Sequence, residues 1–249
     1  MNLLIIGFGV VGQAVYEGLV ENNTIDLLDI EPNDDIDYSS YDGIIICLPT
    51  PQGPRGECDD MLVEQYITTI RMEVPAVPIL IKSTISLELV ELLEDDQEVT
   101  FNPEFLTEAD SHKQFCHQKF AIFGGHHCRS WYDLYINSGI KIDKVRFTSM
   151  KNAAYAKYTI NSFLATKVIF FNELYNMYCN DGFDELTELV AMDERIGKSH
   201  MTVPGHDREF GFGGMCLPKD TLAFATSASR KGSPLKLLEE VILINNELR

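Results

Sequence analysis

The sequence predicts an α/β chain: a doubly wound parallel sheet first, then an all-helical domain organised on one long spine helix. Three observations carry this. The apolar run at residues 3–6 meets the glycine turn Gly7-Phe8-Gly9-Val10-Val11-Gly12, then a helical pattern to about Glu21, and a second apolar stretch ends in Asp29, 17 residues beyond Gly12. The uninterrupted run Gly43-Ile44-Ile45-Ile46-Cys47-Leu48 reads as a central parallel strand covered on both faces. From Met150, apolar residues at Ala153, Ala156, Ile160, Phe163, Leu164, Val168, Phe171, Leu174 and Met177 recur three or four apart, the period of a helix. The expected division is a Rossmann-type domain over 1–148 and a helical domain over 149–249.

Taken in order, the strand, glycine turn and helix at the N-terminus form the context a dinucleotide fingerprint requires. Its glycines let a pyrophosphate approach the helix N-terminus, and Asp29 is placed to accept from the adenosine ribose, which favours NAD over NADP. Only 13 residues separate Asp29 from Gly43, and they are polar, so a full crossover helix hardly fits there. The strand at 43–48 ends in Pro49-Thr50-Pro51, and ligands of open α/β sheets bind beyond such ends, which makes Thr50 a cofactor candidate. Residues 78–81 form a further strand leading into Lys82-Ser83-Thr84 and a helix at 87–93, so Ser83 and Thr84 are either site hydroxyls or helix caps. A strand at 98–101 runs into Asn102-Pro103-Glu104-Phe105-Leu106-Thr107-Glu108; on a helical turn the two glutamates would share a face and could serve as general bases. Residues 120–125 and 145–147 look like the last strands.

The spine helix is expected to end near Cys179, with Lys157 and Asn161 on one face and an apolar flank available for a second subunit. Shorter helices are expected at 185–191, 219–231 and 234–248. Before the second of these lies Phe210-Gly211-Phe212-Gly213-Gly214-Met215-Cys216-Leu217-Pro218-Lys219-Asp220. Pro218 suits the first turn of a helix, so Cys216 falls at the N-terminal end, where the helix dipole and Lys219 favour thiolate and make it a candidate nucleophile. The bland alternative is a small buried cysteine in a glycine turn.

A formal charge of −18 argues against nucleic acid or an anionic membrane as partner. No apolar run reaches membrane-spanning length, and the N-terminus lacks the basic region of a signal peptide, so a cytoplasmic protein is expected. Six cysteines at irregular spacing, with no CxxC pair, fit reduced thiols. Adjacent His126 and His127 cannot both face one site from a strand, so no metal is expected.

Together these ordered motifs resemble the nucleotide-sugar 6-dehydrogenases. The likeness rests on the glycine turn, Leu48-Pro49-Thr50-Pro51, Lys82-Ser83-Thr84, the stretch from Asn102 to Glu108, Lys157 through Asn161 to Ser162-Phe163-Leu164-Ala165-Thr166-Lys167, Asp193-Glu194-Arg195-Ile196-Gly197, and the Cys216 loop. The resemblance implies NAD-dependent, four-electron oxidation of a sugar C6 alcohol to a carboxylate, with UDP-glucose the foremost substrate. Within that chemistry Cys216 is the nucleophile for the aldehyde, Lys157 and Asn161 stabilise the oxyanion, and Glu104, Thr84 and Asp220 position or deprotonate water and hydroxyl. The cofactor set is Gly7, Phe8, Gly9, Val10, Val11, Gly12, Asp29, Thr50, Ser83, Glu108 and Lys219. The substrate set is Glu104, Phe105, Leu106, Lys157, Asn161, Arg195, Phe212 and Gly213, with a homodimer through the 150–179 helix. The family's C-terminal nucleotide-binding domain is expected to be missing beyond Arg249, and the longer 198–209 segment is expected to cover part of the open site. GDP-mannose or another nucleotide sugar, a two-electron 3-hydroxyacid dehydrogenase, and an NAD-binding core inactive without a separate nucleotide-binding domain remain alternatives.

Overall fold

The computed structural model describes residues 1–29, 36–106, 110–178 and 182–249. They form two compact units, one of residues 1–51 and 58–157, the other of residues 52–57 and 158–249.

The first unit is a sheet covered by helices. Its strands are β1 (Asn2–Ile6), β2 (Thr24–Leu28), β3 (Gly43–Ile46), β4 (Ile79–Ile81), β5 (Val99–Phe101), β6 (His117–Gln118), β7 (Ala121–Gly125), β8 (Lys141–Ile142) and β9 (Val145–Thr148). Among the described residues the main sheet has seven strands in the order β2-β1-β3-β4-β5-β7-β9, and β6 pairs with β8 apart from it. Helices α1 (Val10–Leu19), α2 (Met61–Glu73) and α3 (Leu87–Leu93) make the crossovers β1 to β2, β3 to β4 and β4 to β5. This is the expected doubly wound α/β architecture, with one difference: β5 and β7 run antiparallel. The chain between them goes instead into α4 (Ser111–Cys116), whose Phe115 lies on Gly18 of α1, so β7 enters the sheet from the other end. Helix α5 (Cys128–Asn137) then returns the chain to β9, parallel to β7.

The central strands are apolar because both faces are covered. Leu3, Ile5, Ile45 and Leu80 pack with Val15, Leu19, Phe115, Phe123, Trp131 and Tyr135 in one core. Helix α3 is capped by Ser86, whose Oγ accepts the Leu89 N–H at 3.0 Å, which leaves Ser83 and Thr84 without a capping role. Between β2 and β3 a single 3₁₀ turn, Tyr38–Ser40, is found among the described residues.

Helix α6 (Met150–Tyr178) opens with Ser149 Oγ accepting the Asn152 N–H at 3.1 Å and continues for 29 residues. Its early turns belong to the first unit and the rest to the second. Its expected end at Cys179 lies outside the described residues. The second unit adds α7 (Phe183–Val190), α8 (Leu217–Arg230) and α9 (Lys236–Leu248). Ala165, Ile169, Phe212 and Val241 form one small core, and Phe171, Phe183, Met201 and Val203 form another. Met201 and Val203 thereby anchor the 198–209 segment on its own unit.

Candidate functional site

In the first unit the site begins at the carboxyl ends of β1, β3, β4 and β5. Gly7 follows β1 at φ +92°, where a Cβ would stand 2.7 Å from the Cys47 carbonyl oxygen, and a Cβ on Gly12 would run into the Gly7 carbonyl oxygen. Both glycines are required by the turn's own packing. Gly9 differs: a Cβ there would meet nothing within 4 Å, so its backbone faces open space at the N-terminus of α1. That helix has no side-chain cap and no acid in its first turn. First-turn N–H groups with no side-chain cap, beside an open glycine, fit a pyrophosphate. Asp29 directly follows β2 and is exposed, as a ribose acceptor must be.

Thr50, Ser83 and Thr84 are buried behind the ends of β3 and β4. The Ser83 hydroxyl donates to the Leu48 carbonyl at 2.7 Å and so stitches the two strand ends together. The stretch 102–106 is irregular rather than helical, so the shared face expected for Glu104 and Glu108 is not formed at Glu104, and Glu108 lies outside the described residues. What fixes Glu104 is Lys157. Its ammonium donates to the Glu104 carbonyl at 2.6 Å and to Glu104 Oε1 at 3.0 Å, and lies 5.2 Å from the centroid of the Phe105 ring. Phe105 in turn stacks at a tilt on Phe120, while Leu106 packs against the main core.

Sequence reasoning noticed Lys82 only as part of a motif, yet it is the most unusual group in this unit. It is 2% exposed, and its Nζ donates to Asn102 Oδ1 at 2.7 Å. Tyr135 also donates to Asn102 Oδ1, at 3.1 Å, and Asn102 Nδ2 donates to the Ile122 carbonyl at 2.7 Å. Burial pulls the Lys82 amine down to about 8, against the opposing pull of Glu104 and Cys47. Burial likewise pushes the Cys47 thiol up to about 12. The network ties Asn102, two residues before Glu104, to β4, α5 and β7.

In the second unit Cys216 is the residue before α8, exposed, with Pro218 in the first turn of the helix. Asp220 lies one turn further and is 1% exposed. Its two oxygens are divided: Oδ2 accepts from Asn161 Nδ2 at 2.6 Å, and Oδ1 from Lys219 Nζ at 2.7 Å. Helices α6 and α8 thus meet through a buried amide–carboxylate contact beside the exposed thiol. The hydroxyls of Ser162 and Thr221, next to Asn161 and Asp220, are buried without a hydrogen-bond partner among the described residues. Lys157 and Asn161 are one turn apart on α6, the spacing that puts them on one face.

Two substrate candidates are placed differently from each other. The Phe212 ring is 4% exposed and packs in the core of this unit, and both its backbone groups are bonded to Asn245. Arg195 is exposed and forks onto Asp193 of its own turn, at 2.6 and 2.9 Å, holding that carboxyl below the usual range. Gly213 lies against the Arg249 guanidinium, which also pairs with Asp207. No cluster of three metal-ligating side chains occurs among the described residues.

Residues 151–247 match the model of the UDP-glucose/GDP-mannose dehydrogenase family, central domain. The UDP-glucose 6-dehydrogenase TuaD of Bacillus subtilis is 29% identical over 246 residues, 93% of this chain and 52% of that protein. The chain spans about half the length of the curated relatives it matches. Among solved structures, a UDP-glucose dehydrogenase from Pyrobaculum islandicum superposes with a TM-score of 0.80 at 22% identity, covering 99% of this chain and 68% of the other. A Mycobacterium tuberculosis 3-hydroxyisobutyrate dehydrogenase superposes with a TM-score of 0.74 at 16% identity, covering 99% and 92%. At these identities the superpositions speak for the fold alone.

Proposed function

We propose, from the match of residues 151–247 to the central-domain model of the UDP-glucose/GDP-mannose dehydrogenase family, an NAD-dependent oxidation of the C6 alcohol of a nucleotide sugar to the carboxylate. UDP-glucose is the substrate the proposal favours, because the curated relatives carry that name. The observation that carries the reading is the exposed Cys216 at the start of α8, one turn from a buried Asp220 bonded to both Asn161 and Lys219.

NAD, when bound, supplies the hydride acceptor. The turn from Gly7 to Gly12 and the first N–H groups of α1 would hold its pyrophosphate, and Asp29 its ribose. Thr50, Ser83, Glu108 and Lys219 are assigned to its remaining contacts. By the resemblance, Thr84 and Asp220 are assigned to the water that takes the C6 hydroxyl proton as hydride leaves the carbon, giving an aldehyde. An aldehyde has no alcohol proton to lose, so a second oxidation needs a nucleophile on the carbonyl carbon. The Cys216 sulfur forms that bond, and the oxygen becomes an oxyanion, which by the resemblance Lys157 and Asn161 are assigned to stabilise. The second hydride would go to a second NAD bound in place of the first, now reduced, and its loss from the thiohemiacetal carbon leaves a thioester. Water oriented by Glu104 adds to it, the C–S bond breaks, and the thiol recovers its proton.

In this reading residues 1–148 bind the cofactor, and residues 149–249 carry the cysteine loop and the dimer surface. The protein works in the cytoplasm, beside its cofactor and activated sugar. NADH stoichiometry with UDP-glucose tests the proposal, and parallel assays with GDP-mannose and other nucleotide sugars identify the base. Two NADH per sugar are expected; one per substrate would favour the two-electron dehydrogenases, and NAD binding with no turnover would leave a binding core.

A further inference from the structure

The glycine loop ahead of Cys216 is held at its start by two buried amides for which the chemistry above has no use. Asn172 on α6 is 2% exposed; its Oδ1 accepts the Gly211 N–H at 3.0 Å, and its Nδ2 donates to the Val168 carbonyl at 2.8 Å. Asn245 on α9 is 7% exposed and takes both backbone groups of Phe212, accepting its N–H at 2.7 Å and donating to its carbonyl at 3.2 Å. An amide is the neutral side chain that offers a donor and an acceptor in one plane, so it pairs with a peptide unit as a neighbouring strand would. Gly211 adopts φ +71°, and a Cβ there would collide with Asn245 Oδ1, so the glycine and the asparagine fit only together. The Phe212 ring, sunk among Ala165, Ile169 and Val241, completes the anchor.

Past Phe212, Gly213 lies against the Arg249 guanidinium and the loop opens toward solvent. Gly214 has φ +79° with nothing within 4 Å of its would-be Cβ, Met215 is 75% exposed, and Cys216 is exposed. One end of the loop is therefore clamped to α6 and α9, and the other runs straight into α8.

We propose that Asn172 and Asn245 are positioning residues for Cys216: by fixing the peptide units of Gly211 and Phe212, they fix where the thiol stands at the head of α8. This rests on the reading of Cys216 as the nucleophile. The two residues act through the loop backbone, whose peptide groups their amides hold.

Three readouts on the whole chain test it: hydrogen exchange at the Phe212 amide, the rate of Cys216 alkylation by iodoacetamide followed by peptide mass spectrometry, and NAD affinity. Asn245→Leu leaves both Phe212 backbone groups buried without partners. Its Phe212 amide is expected to exchange at least about tenfold faster. Cys216 is expected to react about threefold or more slowly, as the thiol loses its place at the helix N-terminus, with NAD affinity unchanged. Asn245→Asp keeps the acceptor, but only its protonated form can donate to the Phe212 carbonyl. Relative to wild type at the same pH, its exchange and alkylation should therefore recover on acidification from about pH 8 to about pH 5, a reversal that a general loss of stability would not produce. If Asn245→Leu does not fold, the Asp variant carries the test. Cys216 alkylation that stays at the wild-type rate while the Phe212 amide opens would overturn the proposal, as would an unprotected Phe212 amide in the wild type. A wild-type chain that yields no NADH with any nucleotide sugar speaks against the enzymatic reading and leaves the alkylation result intact.

Discussion

Lys82 keeps an amine at 2% exposure, hydrogen-bonded to a neutral amide, and burial lowers its proton affinity from 10.5 to about 8. Between those values the unfolded chain holds a proton that the folded chain has released, so this residue makes stability rise with pH across that window. Below about pH 8 both states are charged and the burial cost is present in full, about 3 kcal/mol for the shift. Cys47, pushed up to about 12, acts in the opposite sense above about pH 9. The difference between wild type and Lys82→Met therefore isolates the lysine: urea unfolding should show wild type gaining about 3 kcal/mol on the variant between about pH 7.5 and pH 10.5. Parallel curves would remove the argument. At Cys216 the expectation is chemical. Cys216→Ser should lower carboxylate formation by about a thousandfold or more while still releasing a first NADH per sugar. Undiminished uronate formation would end the covalent mechanism.

The elements separate what the fold needs from what the ligand needs. In the glycine turn, Gly7→Ala meets the Cys47 carbonyl at φ +92° and should cost about 2 kcal/mol or more in thermal unfolding. Gly9→Ala meets open space, so the same melt should be nearly unchanged while NAD affinity, followed by titration, falls at least about tenfold. Equal effects at the two positions would contradict the assignment of Gly9 to the pyrophosphate. On α6, Phe163, Phe170 and Met177 are 66%, 59% and 73% exposed and stand seven residues apart, so they form one stripe along the helix. Large aromatics in such a row favour a second copy of the chain over water. If the proposed dimer forms on this stripe, sedimentation should give a dimer for the wild type and a monomer for Phe163→Glu with Phe170→Glu. Identical sedimentation would show that the stripe is not the contact.

At the scale of the molecule the assignment predicts coupled stoichiometry: about two NADH for each uronate formed from UDP-glucose, with no aldehyde accumulating. Much of the architecture behind it was legible in the sequence. Apolar runs at 3–6, 43–48 and 78–81 had to be central strands, because only burial on both faces accommodates them. Helices α2 and α5 also carry a helical period in the sequence, Val63, Tyr66, Ile67 and Ile70 in the one and Cys128, Trp131, Leu134 and Tyr135 in the other. The reversal of β7 was not readable, since strand direction depends on where α4 packs rather than on any residue of β7 itself.

By itself the sequence determined the order of elements, the glycine turn, the cysteine at a helix start and the likeness to one family, because periodicity, glycine spacing and capping are local. Only the tertiary structure decided how the polar groups divide their bonds: Lys157 on Glu104, Asp220 between Asn161 and Lys219, Lys82 on Asn102, Asn245 on the peptide of Phe212. Those partners lie 20 to 59 positions apart, apart from adjacent Lys219 and Asp220, and no spacing rule joins residues that meet only after folding. Buried donors and acceptors must be matched, and the folded chain alone settles which is matched with which.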